Sequence, residues 1–135
     1  MIYLDSSALV KLAVVEPETD ALRDLLRANS SANTTSEIAP VEVVRAVRIV
    51  DDSLLPKAFE VVAAVDLIPV SPEVLAMARD IDPPLLRTLD AIHLASAKLI
   101  GRVDLTAFVA YDGRLLDAAR AAGLPTSSPG RRAVS

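Results

Sequence analysis

The chain has 135 residues, 52% of them hydrophobic, which suits one domain of ordinary size. Cysteine is absent and histidine occurs once, which excludes disulfides, zinc–thiolate sites, cysteine nucleophiles and a catalytic histidine pair. The net charge is −4, and the aromatic residues are two Tyr and two Phe, too few for a sheet on which RNA bases stack. Taken alone, the acidic balance argues against a nucleic acid as partner.

The beginning of the chain lacks the pattern of a secretory leader, because Asp5 interrupts the apolar residues that follow Met1. No uncharged apolar run approaches the ~20 residues that span a bilayer. We therefore expect a soluble, cytoplasmic protein with no membrane partner. The composition predicts a single domain over residues 1–130, and 131–135 are predicted to form a flexible basic tail.

The first half of the chain alternates short apolar strands with helices. Strands are predicted at 2–4 and, from a weaker pattern, at 33–36. Helices are predicted at 6–15, 17–29, 40–51 and 54–65. Pro17 and Pro40 suit the first turns of their helices, because a helix leaves its first N–H groups unpaired.

The second half continues this alternation. A strand is predicted at 67–70, followed by a helix that Ser71 caps and Pro72 begins. After the Pro83-Pro84 break, we predict a helix over 88–100, capped by Thr88, a strand over 106–111, a helix over 113–122 and a final strand within 124–127. Short apolar strands between helices predict an α/β fold with a mainly parallel sheet covered on both faces.

Four acidic residues share one kind of position in this pattern. Asp5 and Asp112 follow predicted strands, and Glu42 and Asp90 lie in the first turns of predicted helices. In a parallel sheet these positions meet at the edge where ligands bind. Each acid alone is equally typical of helix capping. Together they would repel one another, which favours a compensating cation, and oxygen ligands favour Mg²⁺ or Mn²⁺ over zinc.

Four segments then match a known pattern in order and spacing. They are MIYLDSSALVKL at 1–12, SEIAPVEVVR at 36–45, RTLDAIHLASA at 87–97 and FVAYDGRLLDAA at 108–119. The combination resembles PIN-domain ribonucleases of the VapC toxin type, which belong to type II toxin–antitoxin systems. The resemblance runs from Met1 to about Gly130, and the third segment is its strongest part.

The resemblance implies a fold, an activity and partners. The fold would be a three-layer sandwich, with a short-stranded central sheet flanked by helices. The activity would be hydrolysis of RNA phosphodiester bonds by a metal-dependent endonuclease. Its catalytic acids and ligands of Mg²⁺ or Mn²⁺ would be Asp5, Glu42, Asp90 and Asp112. A VapB-like antitoxin and a homodimer are implied as partners.

Some positions depart from the family pattern or compete for its roles. Ala110 stands where the family often has Thr or Ser. Asp117 competes with Asp112 for the fourth acid and ranks second, because it lies more than a turn into the last helix. Glu37 competes with Glu42 but is interpreted as a surface acid at a strand end.

The hydroxyls and the histidine near these acids have two interpretations each. Ser6 or Ser7 could hydrogen-bond near the metal or the phosphate, or could simply begin a helix. His93 lies three residues after Asp90 on a similar helix face. For His93, a partly buried histidine with its hydrogen bonds satisfied is favoured over a metal ligand.

Three arginines are candidates for contacts with the site or with RNA. Arg45 stands one turn beyond Glu42 and could pair with a site carboxylate, contact phosphate or form an ordinary Glu–Arg helix pair. Arg87 and Arg114 flank two of the acids and could contact the RNA backbone, although a solvated surface arginine is the favoured interpretation of each.

Two alternative functions remain open at this point. One is a catalytically silent RNA- or protein-binding module on the same fold. The other is a phosphoryl-acceptor domain using Asp5, which is disfavoured because Ser7 stands where a second Asp would be expected. Without the four candidate ligands, the 18 acidic residues would fall to 14, equal to the 14 basic ones. The acidic balance therefore predicts weak RNA binding by the metal-free protein rather than excluding RNA.

Overall fold

A computed structural model describes residues 1–131, which form five strands and seven α-helices, with one or two α-helices between successive strands. The strands are β1 Ile2–Leu4, β2 Asn33–Ser36, β3 Asp66–Ile68, β4 Ala107–Val109 and β5 Thr126–Ser127. The helices are α1 Ser6–Ala13, α2 Thr19–Ala28, α3 Ala39–Val50, α4 Leu55–Ala63, α5 Pro72–Arg79, α6 Thr88–Ile100 and α7 Gly113–Ala121, with a 3-10 turn at Asp52–Leu54. The predicted α/β class is confirmed.

The five strands form one parallel sheet in the order β3-β2-β1-β4-β5. β1 is the central strand, with Tyr3 opposite Thr34 of β2 on one side and Phe108 of β4 on the other. The chain leaves β1 toward β2 and later returns to β4 on the opposite side. The strand order therefore reverses at β1 and β4, which is where open α/β sheets bind ligands at their carboxyl edge.

The alternation of side chains along β1 divides the core between the two faces of the sheet. Ile2 and Leu4 pack with residues of α1, α3 and α4 on one face. Tyr3 and Phe108 pack with residues of α6 and α7 on the other. The predicted sheet with helices on both faces is thereby confirmed, as a three-layer sandwich.

Several predicted element boundaries are corrected by the structure. The third strand is Asp66–Ile68 rather than 67–70, because Pro69 has no N–H to donate to a neighbouring strand. The second helix begins at Thr19, after a turn at Pro17. Thr88 is the first residue of α6 rather than its cap, since Arg87 holds the extended N-cap conformation. β4 ends at Val109, two residues earlier than predicted.

The predicted division into a domain over 1–130 and a tail over 131–135 stays a prediction, because 132–135 lie outside the described residues. Within residues 1–131, no helix combines the length and apolarity that crossing a membrane requires.

Candidate active site

Asp5 lies at the junction between β1 and α1 and is almost fully buried, with 4% of its surface exposed. Its Oδ1 accepts hydrogen bonds from the Ser7 hydroxyl at 2.6 Å and from the Ala8 backbone N–H at 3.0 Å. Burial raises the pKa of Asp5 to about 6, even though the hydrogen bonds from Ser7 and Ala8 oppose the rise. Asp5 is therefore both the N-cap of α1 and a carboxylate that is costly to ionise.

Asp112 is the N-cap of α7. Its Oδ1 accepts hydrogen bonds from the backbone N–H groups of Arg114 at 2.9 Å and Leu115 at 3.1 Å. The capping explanation therefore holds for Asp5 and Asp112 alike, since each orients one carboxylate oxygen through its own helix. In both residues these hydrogen bonds occupy Oδ1 and not Oδ2.

Asp90 lies in the first turn of α6 and is partly buried. Burial and the negative charge of Asp112 raise its pKa, and Glu42 adds to the rise. The positive charge of Arg87 acts in the opposite direction. Asp90 thus lies close enough to two other acids to feel their charge. Asp90 in turn raises the pKa of Asp5.

Glu42 is held by side chains from two other helices. Its Oε1 accepts a hydrogen bond from the Ser6 hydroxyl at 2.7 Å and lies 2.7 Å from Nε2 of His93. Burial works to raise the pKa of Glu42, but the hydrogen bonds from His93 and Ser6 outweigh it and hold the pKa below its usual value. Glu42 is therefore a carboxylate that the fold keeps ionised.

The structure places the four predicted acids at one edge of the sheet, but their side chains are not arranged as ligands around a common point. Among residues 1–131, no group of three His, Asp or Glu side chains is arranged to hold a metal ion. The donor chemistry nevertheless fits Mg²⁺ or Mn²⁺, because the acids supply only oxygen atoms and Mg²⁺ commonly binds through one or two carboxylates while keeping several waters. Burial is the main cause of the raised pKa of Asp90, but the charges of Asp112 and Glu42 add to it, and a cation at this edge would relieve that repulsion.

The two serines contact the acids directly. Ser6 donates to Glu42, and Ser7 donates to Asp5 while its oxygen accepts the backbone N–H of Tyr111 at 3.1 Å. Ser7 thereby connects the end of β1 to the loop before Asp112. Both hydroxyls orient carboxylates in this structure.

The remaining candidates lie at the surface. Asp117 is exposed and pairs with Arg120 at 3.1 Å, which separates it from the acid cluster. Arg45 is exposed, and Glu42 is paired with His93 instead of with Arg45 in the described part of the chain. Arg87 and Arg114 are exposed beside Asp90 and Asp112. The interpretation of Glu37 as a surface acid is confirmed.

The contribution of Tyr3 and the central place of His93 were missed from the sequence. His93 is 1% exposed, more buried than predicted, and both of its ring nitrogens have hydrogen-bond partners. The interpretation of His93 as a satisfied histidine is confirmed. The available signals were spacings: His93 is three residues from Asp90 on a helix, and Tyr3 is two residues from Asp5 on a strand.

Comparison with known proteins relates the whole chain to one family. A family model described as PIN domain matches residues 2–121. Ribonuclease VapC47 of Mycobacterium tuberculosis is 45% identical over 134 residues, which cover 96% of this chain and 98% of VapC47. Ribonuclease VapC46 of the same organism is 46% identical over 128 residues, which cover 95% of this chain and 97% of VapC46.

Solved structures share the fold at much lower identity. VapC20 of Mycobacterium tuberculosis, a sarcin–ricin loop cleaving toxin, has a TM-score of 0.73 at 18% identity, covering 96% of this chain and 100% of the VapC20 chain. VapBC2 from Rickettsia felis, bound to a DNA fragment from its promoter, has a TM-score of 0.74 at 15% identity, covering 96% and 99% of the two chains. The family match and the mycobacterial sequences together show that this chain belongs to the PIN-domain ribonucleases of the VapC toxin family.

Proposed function

We propose that this ribonuclease is a Mg²⁺- or Mn²⁺-dependent endonuclease that hydrolyses RNA phosphodiester bonds at the edge formed by Asp5, Glu42, Asp90 and Asp112. The observation that carries the proposal is the electrostatic coupling of these acids. The pKa of Asp90 is raised by burial and by the charges of Asp112 and Glu42, whereas the pKa of Asp5 is raised to about 6 mainly by burial, with a smaller contribution from Asp90. Such a gathering of like charges is stable only where a cation or a proton offsets it.

The hydrogen bonds that hold each residue indicate its role in such a site. Asp5 and Asp112 are oriented through Oδ1 by the helices that they cap, and Oδ2 carries no part of the cap. Ser6 and Ser7 donate hydrogen bonds to two of these carboxylates. A divalent cation, when bound, supplies positive charge for the phosphoryl oxygens and a more acidic water.

The positive charges proposed for RNA contact lie next to this edge. Arg87 precedes α6 and lowers the pKa of Asp90, so its charge reaches the site. Arg114 is exposed in the first turn of α7. We assign both to the phosphate backbone of the substrate, because guanidinium groups bind phosphate oxygens through paired donors. Arg45 keeps the same proposed role as a weaker candidate.

A protein partner is also part of the proposal. Because the similar Rickettsia felis structure is a VapBC2 complex on promoter DNA, we propose that a VapB-like antitoxin inhibits this chain as the toxin of a type II pair. Exposed apolar side chains on the outer sides of α3 and α4, among them Ile49 and Phe59, support a protein-binding surface. A homodimer, which the family resemblance also implies, is retained as a proposal.

The decisive experiment replaces carboxylates of the site with amides and measures RNA cleavage in the presence of Mg²⁺ or Mn²⁺. Asp5→Asn and Asp90→Asn are expected to reduce RNA cleavage in Mg²⁺ or Mn²⁺ at least about 100-fold while circular dichroism shows an unchanged fold, because the ion's ligands contribute several kcal/mol to the transition state. Asp24→Asn is the matched control, since Asp24 is an exposed acid on α2 paired with Arg27.

Two results would contradict the proposal. If both variants cut RNA at the wild-type rate, the four-acid site is wrong. If calorimetry finds no saturable Mg²⁺ or Mn²⁺ binding to the wild-type chain and a chelator leaves cleavage unchanged, the metal requirement is wrong. Absence of any cleavage together with absence of metal binding would favour the catalytically silent binding module.

A further inference from the structure

A buried network of hydrogen bonds links Tyr3, in the middle of the sheet, to Glu42 through His93. The Tyr3 hydroxyl lies 2.7 Å from Nδ1 of His93, and Nε2 of His93 lies 2.7 Å from Oε1 of Glu42. Tyr3 is 0% exposed and His93 is 1% exposed. The Ser6 hydroxyl completes this network, because it donates to the same Glu42 oxygen at 2.7 Å and lies 3.1 Å from Nε2 of His93.

The hydrogen-bond partners determine which atoms of this network carry the protons. A carboxylate oxygen is an acceptor, so Nε2 of His93 donates at its 2.7 Å contact with Oε1 of Glu42. The Ser6 proton also points to Glu42, which leaves the Ser6 oxygen as a second acceptor for Nε2–H. With the proton of a neutral ring on Nε2, Nδ1 is an acceptor, and the Tyr3 hydroxyl donates to it at 2.7 Å.

Packing holds the two rings in this arrangement. The Tyr3 ring stacks on Phe108 with centroids 5.3 Å apart and planes at 5°. The His93 ring meets Tyr3 edge-on, with centroids 5.8 Å apart and planes at 79°. Because Tyr3 belongs to the central strand and His93 to α6, neither ring can turn without disturbing the core. The rigid part of the fold therefore extends to Oε1 of a carboxylate that is itself partly exposed.

We propose that His93, oriented by Tyr3, is the positioning residue of Glu42: its Nε2–H holds Oε1 so that the other carboxylate oxygen remains available to a divalent cation. The inference rests on the proposed metal site and adds to it a residue that is not a ligand. Groups that orient metal ligands in this way typically change metal affinity or activity about 10–100-fold when they are removed.

Substitutions at His93 test whether the donated hydrogen bond matters. His93→Leu removes the donor, whereas the amide nitrogen of His93→Gln reaches the place of Nε2 and restores it. By calorimetry of Mn²⁺ binding to the metal-free protein, we expect His93→Leu to weaken binding roughly 10–100-fold and His93→Gln to stay within about threefold of wild type. The same order is expected for kcat, with little change in KM for RNA.

Substitution at Tyr3 tests the hydrogen bond between the Tyr3 hydroxyl and Nδ1 of His93. Tyr3→Phe keeps the ring stacked on Phe108 but removes the donor to Nδ1, and we expect Mn²⁺ binding to weaken by about threefold to tenfold. Tyr111→Phe is the matched control because Tyr111 is the only other tyrosine and its hydroxyl donates to the Pro129 carbonyl instead. It is expected to bind Mn²⁺ as the wild-type chain does.

A spectroscopic measurement makes the test independent of metal and of folding in the variants. The chain has one histidine, so ¹⁵N-labelled histidine gives a single pair of ring nitrogen signals. In the metal-free wild-type protein we expect Nε2 to carry a proton. A ring with an unprotonated Nε2 would overturn the inference, as would folded His93→Leu with wild-type Mn²⁺ affinity or His93→Gln as weak as His93→Leu. A wild-type chain that binds no Mn²⁺ would instead refute the metal site, and this inference with it.

Discussion

Asp112 and Glu42 are proposed to serve one site, yet the fold orients them in different ways. Asp112 is held by backbone N–H groups of its own helix, two and three residues away. Glu42 is held by Ser6 and His93, which are 36 and 51 residues away in the sequence. The first carboxylate depends on local helix geometry and the second on the packing of three helices. Asp5 combines the two, since its local cap lies in a fully buried position.

Asp5→Asn should give the largest change in stability. The folded-state pKa of Asp5 is raised from 3.8 to about 6, so the unfolded chain ionises more readily than the folded one. The destabilisation is absent below about pH 4, grows between pH 4 and 6 and is complete at pH 7. Asparagine keeps the cap without the charge. We therefore expect metal-free Asp5→Asn to be more stable at pH 7 by up to about 3 kcal/mol in urea unfolding.

The pH dependence provides the control for this comparison. At pH 3.5 the Asp5 carboxyl of the wild-type chain is protonated, and the two proteins should unfold at nearly the same urea concentration. Asp24→Asn should match wild type at both pH values, because that acid is exposed. If Asp5→Asn and wild type are equally stable at pH 7 in a chelator, ionisation of the buried Asp5 carboxyl does not lower the free energy of unfolding, and the prediction is wrong.

Asp112→Ala should give the next largest effect. It removes the acceptor for two backbone N–H groups of α7, and loss of an N-cap costs about 1 kcal/mol. Asp112→Asn should restore most of that stability, since asparagine caps helices as well as aspartate does. Asp117→Ala is the matched control on the same helix, where only an exposed ion pair is lost and thermal unfolding should not change. A larger effect at Asp117 than at Asp112 would contradict the assignment of Asp112 as the stabilising cap of α7.

Glu42→Gln should give the smallest change in stability, and with the opposite sign to Asp5. The pKa of Glu42 is lowered from its ordinary value of 4.5, so its ionised form stabilises the folded state above that pH. The effect is small because burial opposes the hydrogen bonds from His93 and Ser6. We expect wild type to exceed Glu42→Gln slightly at pH 7, and the difference to disappear as pH falls below 4.5 in parallel urea titrations. A difference that grows toward acid would contradict this assignment.

The positions of the acids in the candidate site were predictable because each depends on local structure. An acid after a strand or in the first turn of a helix has a readable position, and the parallel sheet brings such positions to one edge. Asp5 and Asp112 therefore appear in the structure as the caps that their neighbours predict. The errors are local too: Thr88 was predicted as a cap, but the structure gives the N-cap position to Arg87.

His93 and Tyr3 could not be assigned from the sequence because their partners are distant in it. A histidine three residues after an acid is compatible with solvent, core or site, and only the packing of α6 against β1 and α3 brings its two nitrogens to Tyr3 and Glu42. The same applies to Asp117, which tertiary structure leaves at the surface with Arg120.

The sequence by itself determined the α/β class, the order of the elements and the positions of the four candidate acids at the starts of helices, because hydrophobic periodicity and helix capping act over a few residues. Only the tertiary structure decided how Asp5, Glu42 and Asp90 ionise and which groups hold them. A pKa depends on burial and on charges within several ångströms, and the groups that supply them here come from α1, α3, α6 and the loop before α7.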